Sequence, residues 1–279
     1  MEFGDDLKER DKESFKINER TYIVTNNMPN NHYHPHYEIL YIYENSRLLQ
    51  ISNKSFILDE NNVALIPPFI PHMTISAKVD NKIEKRMLVN FRFNFVNDMS
   101  KVLDIDLLSG FNGADPVINI EAHKGRFQKL FALLKNDYER PEGEELKKLA
   151  KLHMTELLML LRECRGTPET TDDMYSLVHY IEKNYQEHIT LEELEKKFFM
   201  SKYTISRKFN VATGMSVPKY LAAIRIINAK QFIDLGQNIT SIAFECGFSS
   251  LNDFDRVFKQ ETGMTPREYK IKSQSLREQ

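Results

Sequence analysis

About the last hundred residues of the chain repeat themselves at an offset of 49 residues, and this duplication constrains the fold more than any other feature. Residues 205–216 align with residues 254–265, and the agreement is too dense to be accidental. The identical pairs are Arg207 and Arg256, Phe209 and Phe258, the Thr-Gly-Met triplets that begin at Thr213 and Thr262, and Tyr220 and Tyr269. Because a repeated segment folds twice into the same unit, the C-terminal part is expected to contain two copies of one substructure.

The first copy carries the start and stop signals of two short helices. Thr190 is followed three residues later by Glu193, which is a capping box that begins a helix to about Phe198. Ser201 then caps a second helix that runs to about Thr213.

The second copy follows the same order. A short helix is predicted over residues 240–246, Gly247 supplies the turn, and Ser249 or Ser250 caps a second helix to about Thr262. Two short helices joined by a turn of about three or four residues form a helix-turn-helix, whose second helix enters the major groove of DNA. The sequence therefore predicts two helix-turn-helix units.

The second helix of each unit combines an apolar stripe with an opposite face of hydrogen-bonding side chains. The predicted buried stripes are Ile205, Phe209 and Ala212 in the first unit and Leu251, Phe254 and Phe258 in the second. On the opposite faces, arginine is suited to guanine, asparagine to adenine and lysine to phosphate. The predicted DNA-contacting residues are Lys202, Thr204, Ser206, Arg207 and Asn210 in the first unit and Ser250, Asn252, Asp255, Arg256 and Lys259 in the second. The alternative, a merely solvated helix face, is disfavoured by the duplication of the whole unit.

Residues 216–235 are predicted to form one long helix that is apolar on several sides and buried between the two units. Twenty residues at about 1.5 Å each give roughly 30 Å, close to the roughly 34 Å of one turn of B-DNA. A rigid spacer of this length would let one chain contact two adjacent segments of the major groove.

The N-terminal part of the chain has the pattern of short strands. Between about Asn18 and Val96, runs of Ile, Val, Tyr and Phe are interrupted by clusters of Asn, Pro and Asp. Apolar and polar residues alternate over residues 88–95, which predicts one strand with a buried face. That face would consist of Val89, Phe91, Phe93 and Phe95. An antiparallel β-sandwich or barrel is expected.

Two helices are predicted after the strands, over residues 124–138 and 144–164, separated by residues 140–143. Residues 157–161 are apolar on most sides of the second helix, which leaves both packing on the β-domain and a subunit interface open. Residues 166–173 are polar, aperiodic and contain Pro168, so they are predicted to be a linker.

The charge and cysteine content are compatible with an intracellular nucleic-acid-binding protein. Residues 174–279 hold 15 Lys and Arg against 12 Asp and Glu, whereas residues 1–173 hold 23 against 28. Cys164 and Cys246 lie far apart in predicted helices, which fits free thiols in a reducing compartment. No signal peptide or membrane span is recognisable, so a cytoplasmic protein without membrane contact is expected.

The C-terminal residues, from about 174 to 270, resemble the AraC family of bacterial transcription regulators. The matching positions are Ile242-Ala243, Gly247-Phe248, Phe254, the segment 256–259, Gly263, Thr265-Pro266 and Tyr269 in the second unit, and Tyr220-Leu221, Arg225-Ile226 and Ala229 in the connecting helix. Two residues depart from the family pattern. Glu195 stands where the first unit normally has alanine, and Asp253 stands where the second usually has an aromatic residue. An unpaired Glu195 carboxylate at the contact between helices would be costly.

The N-terminal region resembles, more weakly, the cupin-like sensor barrel of many such regulators. The residues that carry this likeness are His34-Pro-His36-Tyr-Glu38 and the segment 63–72, which ends in His72. The resemblance implies a barrel that binds a small-molecule effector, such as a sugar, and following helices that dimerise. Tyr41 and Tyr43 could stack against a sugar, although tyrosine in a strand usually serves packing.

The histidines and the glutamate are also a candidate metal site. His34, His36 and Glu38 alternate along a predicted strand, and His72 would arrive on another, which gives three nitrogen ligands and one oxygen. Such a site would indicate a metal-dependent cupin enzyme. The glutamate lies closer to the second histidine than in metal-binding cupins, which favours an effector contact, with a hydrogen-bonded structural role as the third possibility. No metal, no other cofactor and no catalytic residue is predicted.

Together these features predict an α+β multidomain chain. Residues 1–120 would form a cupin-like, effector-sensing antiparallel β-barrel, 121–165 a helical dimerisation region, 166–173 a linker and 174–271 an all-α domain with two helix-turn-helix units. The predicted function is a ligand-responsive, sequence-specific transcription activator, not an enzyme, that binds double-stranded promoter or operator DNA as a homodimer and contacts RNA polymerase. The alternatives are a metal-dependent cupin enzyme fused to a DNA-binding domain, and a regulator whose barrel serves only in assembly.

Overall fold

The computed structural model describes residues 15–23, 32–51, 54–76, 83–111, 115–139, 144–166 and 173–275. These residues divide into two compact units, one ending at Ser176 and the other beginning at Leu177. The predicted separator at residues 140–143 and most of the predicted linker, residues 167–172, lie outside the described residues. Among the described residues, no helix is long and apolar enough to cross a membrane.

The first unit contains eight described strands in two antiparallel sheets. The strands are β1 Phe15–Ile23, β2 Tyr37–Glu44, β3 Arg47–Ile51, β4 Lys54–Leu58, β5 Asn62–Ile66, β6 His72–Ser76, β7 Ile83–Phe91 and β8 Val117–Asn119. One sheet has the order β1-β7-β2-β5-β8, and the other has the order β4-β3-β6. The antiparallel β-architecture is therefore confirmed, whereas a closed barrel is not shown by the described strands.

Strand β2 is buried along almost its whole length because both faces of its sheet are covered. Ile39 and Tyr41 belong to the core that also contains residues of the helices that follow the strands. Leu40 and Ile42 point to the opposite face and pack with Leu49 and other residues of the three-stranded sheet. The period of two along a strand thus explains why nearly every residue of β2 is apolar.

Three helices complete the first unit: α1 Phe93–Leu103, α2 Lys124–Glu139 and α3 Glu144–Arg165. The predictions of α2 and α3 are confirmed, but the predicted strand over residues 88–95 is wrong, because β7 ends at Phe91 and α1 begins at Phe93. The alternation of Phe93 and Phe95 with polar residues is too short to distinguish a strand from the first turn of a helix. Phe95 and Val96 are both buried in α1, as a helical face requires.

In the described part of the chain, the second unit contains helices and no strand. After α4 Asp173–Lys183, which begins at the end of the first unit, it contains α5 Leu191–Phe198, α6 Lys202–Thr213, α7 Val217–Asp234, α8 Ile239–Glu245, α9 Leu251–Thr262 and α10 Pro266–Ser275. As predicted, α7 is buried on several sides, and it packs against α6, α8, α9 and α10. Its C-terminal half shares one core with α8 and α9 through Ile226, Ala229 and Ile233. Both cysteines are free, with Cys246 buried.

Candidate functional site

A cluster of three histidines and one glutamate lies at the start of β2, but it is assembled differently from the sequence prediction. His34 and His36 precede β2, so they do not alternate along a strand with Glu38. Pro35 lies between them, and a proline has no N–H group for a ladder hydrogen bond, which is consistent with a strand that starts only at Tyr37. His72 opens β6, as the prediction of a second strand required.

The side chains of the cluster nevertheless come together and are buried. His34 Nε2 lies 3.2 Å from Glu38 Oε2, and His72 Nε2 lies 3.8 Å from Glu38 Oε1. The rings of His34 and His36 are stacked, with their centroids 3.9 Å apart. His32 was not singled out in the sequence, yet its backbone is bridged to that of His72 and the two rings lie 4.3 Å apart. A histidine two residues before His34 was the signal that could have revealed it.

The hydrogen bonds of the cluster fix the orientation of two imidazoles. His34 Nδ1 lies 3.0 Å from the carbonyl oxygen of His36, and His72 Nδ1 lies 2.8 Å from that of Ile70. Because a carbonyl oxygen only accepts hydrogen bonds, each Nδ1 carries the proton. The Nε2 atoms of His34 and His72 therefore face the Glu38 carboxylate, and both are buried without a hydrogen-bond partner in the described structure.

Burial dominates the protonation of the cluster. It lowers the pKa of His72 to about 3, aided by the neighbouring His34, and it lowers the pKa of His36 well below its ordinary value. Burial alone would raise the pKa of the Glu38 carboxyl, but the surrounding imidazoles, His34 first, outweigh it and hold that pKa well below its ordinary value. At neutral pH the cluster therefore presents a carboxylate together with the neutral His36 and His72.

Tyr41 does not lie open to a ligand. It is fully buried, its ring stacks on Phe131 at 5.2 Å, and its hydroxyl donates to the carbonyl oxygen of Glu60 at 3.2 Å. Gln128 Nε2 donates to the same hydroxyl. Tyr41 thus joins β2 to α2, which agrees with a packing role.

The first helix-turn-helix consists of α5 and α6. Thr190 and Glu193 form the predicted capping box at the start of α5, and Ser201 accepts a hydrogen bond from Thr204 N at the start of α6. Glu195 is not an unpaired carboxylate, because its Oε1 accepts from the backbone N–H of Lys202 at 3.4 Å. A carboxylate at a helix N-terminus is favourable, so the departure at Glu195 has a structural explanation.

The second helix-turn-helix consists of α8 and α9. Asn238 caps α8, which therefore begins slightly before the predicted position, and Ser250 rather than Ser249 caps α9. Gly247 has φ +82°, as the predicted tight turn requires. A Cβ atom at this position would lie 2.4 Å from the carbonyl oxygen of Gln186, so the turn also depends on close backbone approach.

The end of the second helix is built identically in the two units. The hydroxyl of Thr213 donates to the carbonyl oxygen of Phe209 and accepts from the N–H of Met215, while Gly214 has φ +72°. The hydroxyl of Thr262 makes the same two contacts with Phe258 and Met264, and Gly263 has φ +78°. The repeated Thr-Gly-Met triplet is therefore the helix C-terminus of each unit.

The repeated tyrosines attach the helix that follows each unit. Tyr220 in α7 donates to Glu182 Oε1 at 3.2 Å and packs edge-on against Phe209. Tyr269 in α10 donates to Asp234 Oδ2 at 3.2 Å and packs edge-on against Phe258. Burial and the Glu182 carboxylate raise the pKa of Tyr220 well above its ordinary value, so its hydroxyl stays protonated and remains a donor.

The faces of α6 and α9 opposite the core are exposed. Ile205, Phe209, Phe254 and Phe258 are fully buried, whereas Ala212 and Leu251 are only partly so. Nine of the ten predicted DNA-contacting residues are exposed. They are Lys202, Ser206, Arg207 and Asn210 on α6, Ser250 before α9, and Asn252, Asp255, Arg256 and Lys259 on α9, with Thr204 partly buried as the tenth. The hydroxyls of Thr204 and Ser250 already take part in caps, with Ser201 and with Asp253 N respectively.

The two exposed faces differ in charge. Helix α6 carries Lys202, Arg207 and Lys208 and no acidic residue. Helix α9 carries Arg256 and Lys259 against three acidic residues, Asp253, Asp255 and Glu261. Arg256 Nη2 donates to Asp253 Oδ1 at 2.5 Å within α9, whereas no carboxylate lies three or four residues from Arg207 on α6. The first unit therefore presents the more positive surface.

Comparison with known proteins agrees with this geometry. A family model described as a helix-turn-helix domain matches residues 194–271, which span both units. The HTH-type transcriptional activator RhaS of Klebsiella pneumoniae (strain 342) is 30% identical over 117 residues, or 40% of this chain and 42% of RhaS. RhaS of Yersinia pestis (strain Pestoides F) is 27% identical over 134 residues, or 46% of this chain and 49% of RhaS. The C-terminal unit is an AraC-type helix-turn-helix domain.

The chain spans about half the length of the curated relatives that it matches. Among solved structures, that of ToxT from Vibrio cholerae (P21 form) covers 93% of this chain and 98% of ToxT, at 15% identity and a TM-score of 0.45.

The AraC-type domain exposes two large side chains on α6 that were not predicted as DNA contacts. Tyr203 is 77% exposed and Val211 is 62% exposed. They lie four residues before and four residues after Arg207, and therefore on the same face of the helix. Neither residue belongs to the polar set that was predicted to contact DNA, but their spacing of four residues from Arg207 is a sequence signal that places them on the same face.

Proposed function

We propose that this chain is a sequence-specific transcription regulator that binds double-stranded DNA through both units of its AraC-type domain. The observation that carries the proposal is the duplication of a complete helix-turn-helix, in which each second helix keeps one buried stripe and exposes the opposite face. A lone exposed helix face would be ordinary, but two matched faces joined by a buried helix indicate a common ligand with a repeated groove.

Helix α7 supports binding of both units to one duplex. It has 18 residues, which at about 1.5 Å each give a length of about 27 Å. Successive major-groove segments on one side of B-DNA are about 34 Å apart, so modest bending of the DNA would complete the fit. Because α7 is buried among its neighbours, it acts as a stiff spacer rather than a flexible tether.

The proposal is tested by selecting duplexes that the full chain retains from a randomised library, at a fixed salt concentration. Enrichment of one sequence pattern is expected, and Arg207→Ala should weaken binding to the selected duplex. Arg126→Ala is the matched control, because Arg126 is an exposed arginine of the N-terminal unit, outside the helix-turn-helix domain, and pairs with Glu156. Failure to enrich any pattern, or an equal loss in both variants, would overturn the proposal.

We further propose that the N-terminal unit senses a small-molecule effector at His34, His36, Glu38 and His72, within a cupin-like barrel. The Nε2 atoms of His34 and His72 converge on the Glu38 carboxylate, so the cluster suits a ligand with several hydroxyl groups, such as a sugar. His72→Gln should abolish the effect of such a ligand on DNA affinity. His153→Gln is the control, because His153 pairs with Asp137 at 2.6 Å outside the cluster.

The second candidate function is a metal-dependent enzyme, because the same cluster could hold a metal ion. Two groups, His32 with His34 and His72, and His34 with His36 and Glu38, each bring their ligand atoms within 4.8 Å of one another. Elemental analysis of the purified chain separates the candidates. Stoichiometric transition metal, together with turnover of a small molecule, would favour the enzyme over the sensor.

Homodimerisation through the helices of residues 121–165 is proposed from the surface of α3. Most of its apolar end is buried, including Leu157, Leu158, Leu160 and Leu161, but Leu149, Leu152 and Met159 remain exposed. If a dimer buries this surface, Leu152→Glu should weaken the dimer, and sedimentation equilibrium would measure this change.

Activation through contact with RNA polymerase is proposed from the activator RhaS. It would appear as increased transcription from a promoter with the selected site.

A further inference from the structure

The two helix-turn-helix units share their framework but differ in their reading faces, by which we mean the exposed faces of α6 and α9 around Arg207 and Arg256. Different side chains surround the arginine in each. With about 3.6 residues per turn, the residues nearest to Arg207 on this face of α6 lie three and four positions away. When α6 is aligned with α9, the arginine is identical in the two helices, and the four residues around it all differ. The replaced pairs are Tyr203 and Asn252, Thr204 and Asp253, Asn210 and Lys259, and Val211 and Gln260.

Tyr203 is the most unusual of these residues. It lies in the first turn of α6, and residues near the N-terminus of a recognition helix are those that reach the base edges. Its side chain is 77% exposed, although an aromatic ring gains free energy when it leaves water. The ring therefore lies where a ligand, and not the core of the protein, would cover it.

The floor of the major groove offers one apolar group, the C5-methyl of thymine, alongside hydrogen-bond donors and acceptors. We infer that Tyr203 packs its ring on a thymine methyl, whereas Asn252 at the equivalent position pairs with adenine. Arg207 and Arg256 would each add the same guanine contact. The site of one chain is then two unlike half-sites, each with its own guanine, and not a direct repeat. This inference rests on the proposed DNA-binding function.

The inference is tested by replacing each thymine of the selected duplex with deoxyuridine, which removes only the methyl group. At one position in the half-site of the first unit, this change should weaken binding of the full chain about threefold to fivefold, as expected for one exposed methyl. The Tyr203→Ala variant should bind the thymine duplex more weakly and should not distinguish thymine from deoxyuridine. Because Tyr203 is exposed, this variant should unfold at the same temperature as the original chain.

Two further variants distinguish the ring from the hydroxyl and from general effects. Tyr203→Phe should keep both the affinity and the sensitivity to the methyl group. Tyr203→Asn, which copies Asn252, should shift the preferred base at that position from thymine towards adenine. Val211→Ala serves as a control on the same face, near the far end of α6, and should keep the sensitivity to the methyl group.

Several results would overturn the inference. If no thymine shows a methyl effect that Tyr203→Ala removes, Tyr203 does not read the methyl. If Tyr203→Phe alone loses affinity, the hydroxyl contacts phosphate instead. Both results leave the proposed function intact, provided that selection enriches a sequence and Arg207→Ala weakens binding to it. If selection fails, the proposed function fails first and the inference falls with it.

Discussion

The two helix-turn-helix units agree in the contacts that hold their helices together and differ in the side chains that they expose. Both end the second helix with a Thr-Gly-Met triplet, and both attach the next helix through a tyrosine and a carboxylate. Their reading faces keep only the arginine, and the net charge of the two helices differs in sign, with α6 positive and α9 negative. Duplication has thus preserved the framework, while the exposed residues have diverged.

Similarity to the family and the charge of the exposed helix vary separately between the two units. The second unit carries the fuller set of family-like residues, most of which are buried or form turns. The first unit has the more basic helix, and its departure at Glu195 is accommodated by a hydrogen bond to Lys202 N. We therefore expect the first unit to contribute more to binding than the second, because phosphate neutralisation dominates affinity for DNA.

The largest expected effect concerns the framework. Gly247→Ala should destabilise the AraC-type domain by about 2–4 kcal/mol, because left-handed backbone and overlap with Gln186 O both oppose a Cβ atom. Gly263→Ala is the matched control, since its φ is +78° but nothing lies within 4 Å, and it should cost only about 1–2 kcal/mol. Denaturant unfolding of the full chain, followed by circular dichroism, measures both. Equal effects would contradict the close approach at Gly247.

The next effect compares the two equivalent arginines, Arg207 and Arg256. Arg207→Ala should weaken binding to the selected duplex by about 1–3 kcal/mol if the side chain contacts a base. Arg256→Ala should cost less, because Arg256 must first give up its ion pair with Asp253. Fluorescence anisotropy at fixed salt gives both affinities. A greater loss in Arg256→Ala would reverse the assigned order of the two units.

A smaller effect is expected when the reading face of α9 is made more like that of α6. Asp253→Thr, which copies Thr204, should strengthen binding on the order of threefold and steepen its dependence on salt, because a carboxylate near phosphate is removed and Arg256 is released. Glu121→Thr is the control for loss of negative charge, because Glu121 is exposed on the N-terminal unit, outside the helix-turn-helix domain. Weaker binding of Asp253→Thr would show that Asp253 positions Arg256 or contacts a base itself.

The smallest effect concerns the turn of the first unit. Phe199 has φ +52° and is 95% exposed, so it is strained without contributing to the core. Phe199→Gly should stabilise the domain by about 0.5–1 kcal/mol, since glycine adopts this conformation without the cost to a side chain. A fall in the unfolding midpoint would instead assign Phe199 a contact that stabilises the turn.

The sequence predicted the AraC-type domain well because its signals are local. Capping residues, turn glycines and the three-to-four spacing of apolar residues depend on near neighbours, and a second copy provided an internal check. It failed at residues 93–95, where a short alternation fits a strand and a helix equally well, and at His34 and His36, which precede the strand. The contact of Glu195 with Lys202 N and the ion pair of Arg256 depend on side-chain directions that periodicity does not specify.

A hydroxyl-radical footprint of the full chain on its selected duplex tests most directly whether both units contact DNA. Two protected segments are expected on one side of the helix, with centres about 10 base pairs apart. Arg207→Ala should weaken one segment, and Arg256→Ala should weaken the other while reducing affinity less. A single protected segment, or the loss of the same segment in both variants, would contradict binding by two unequal units.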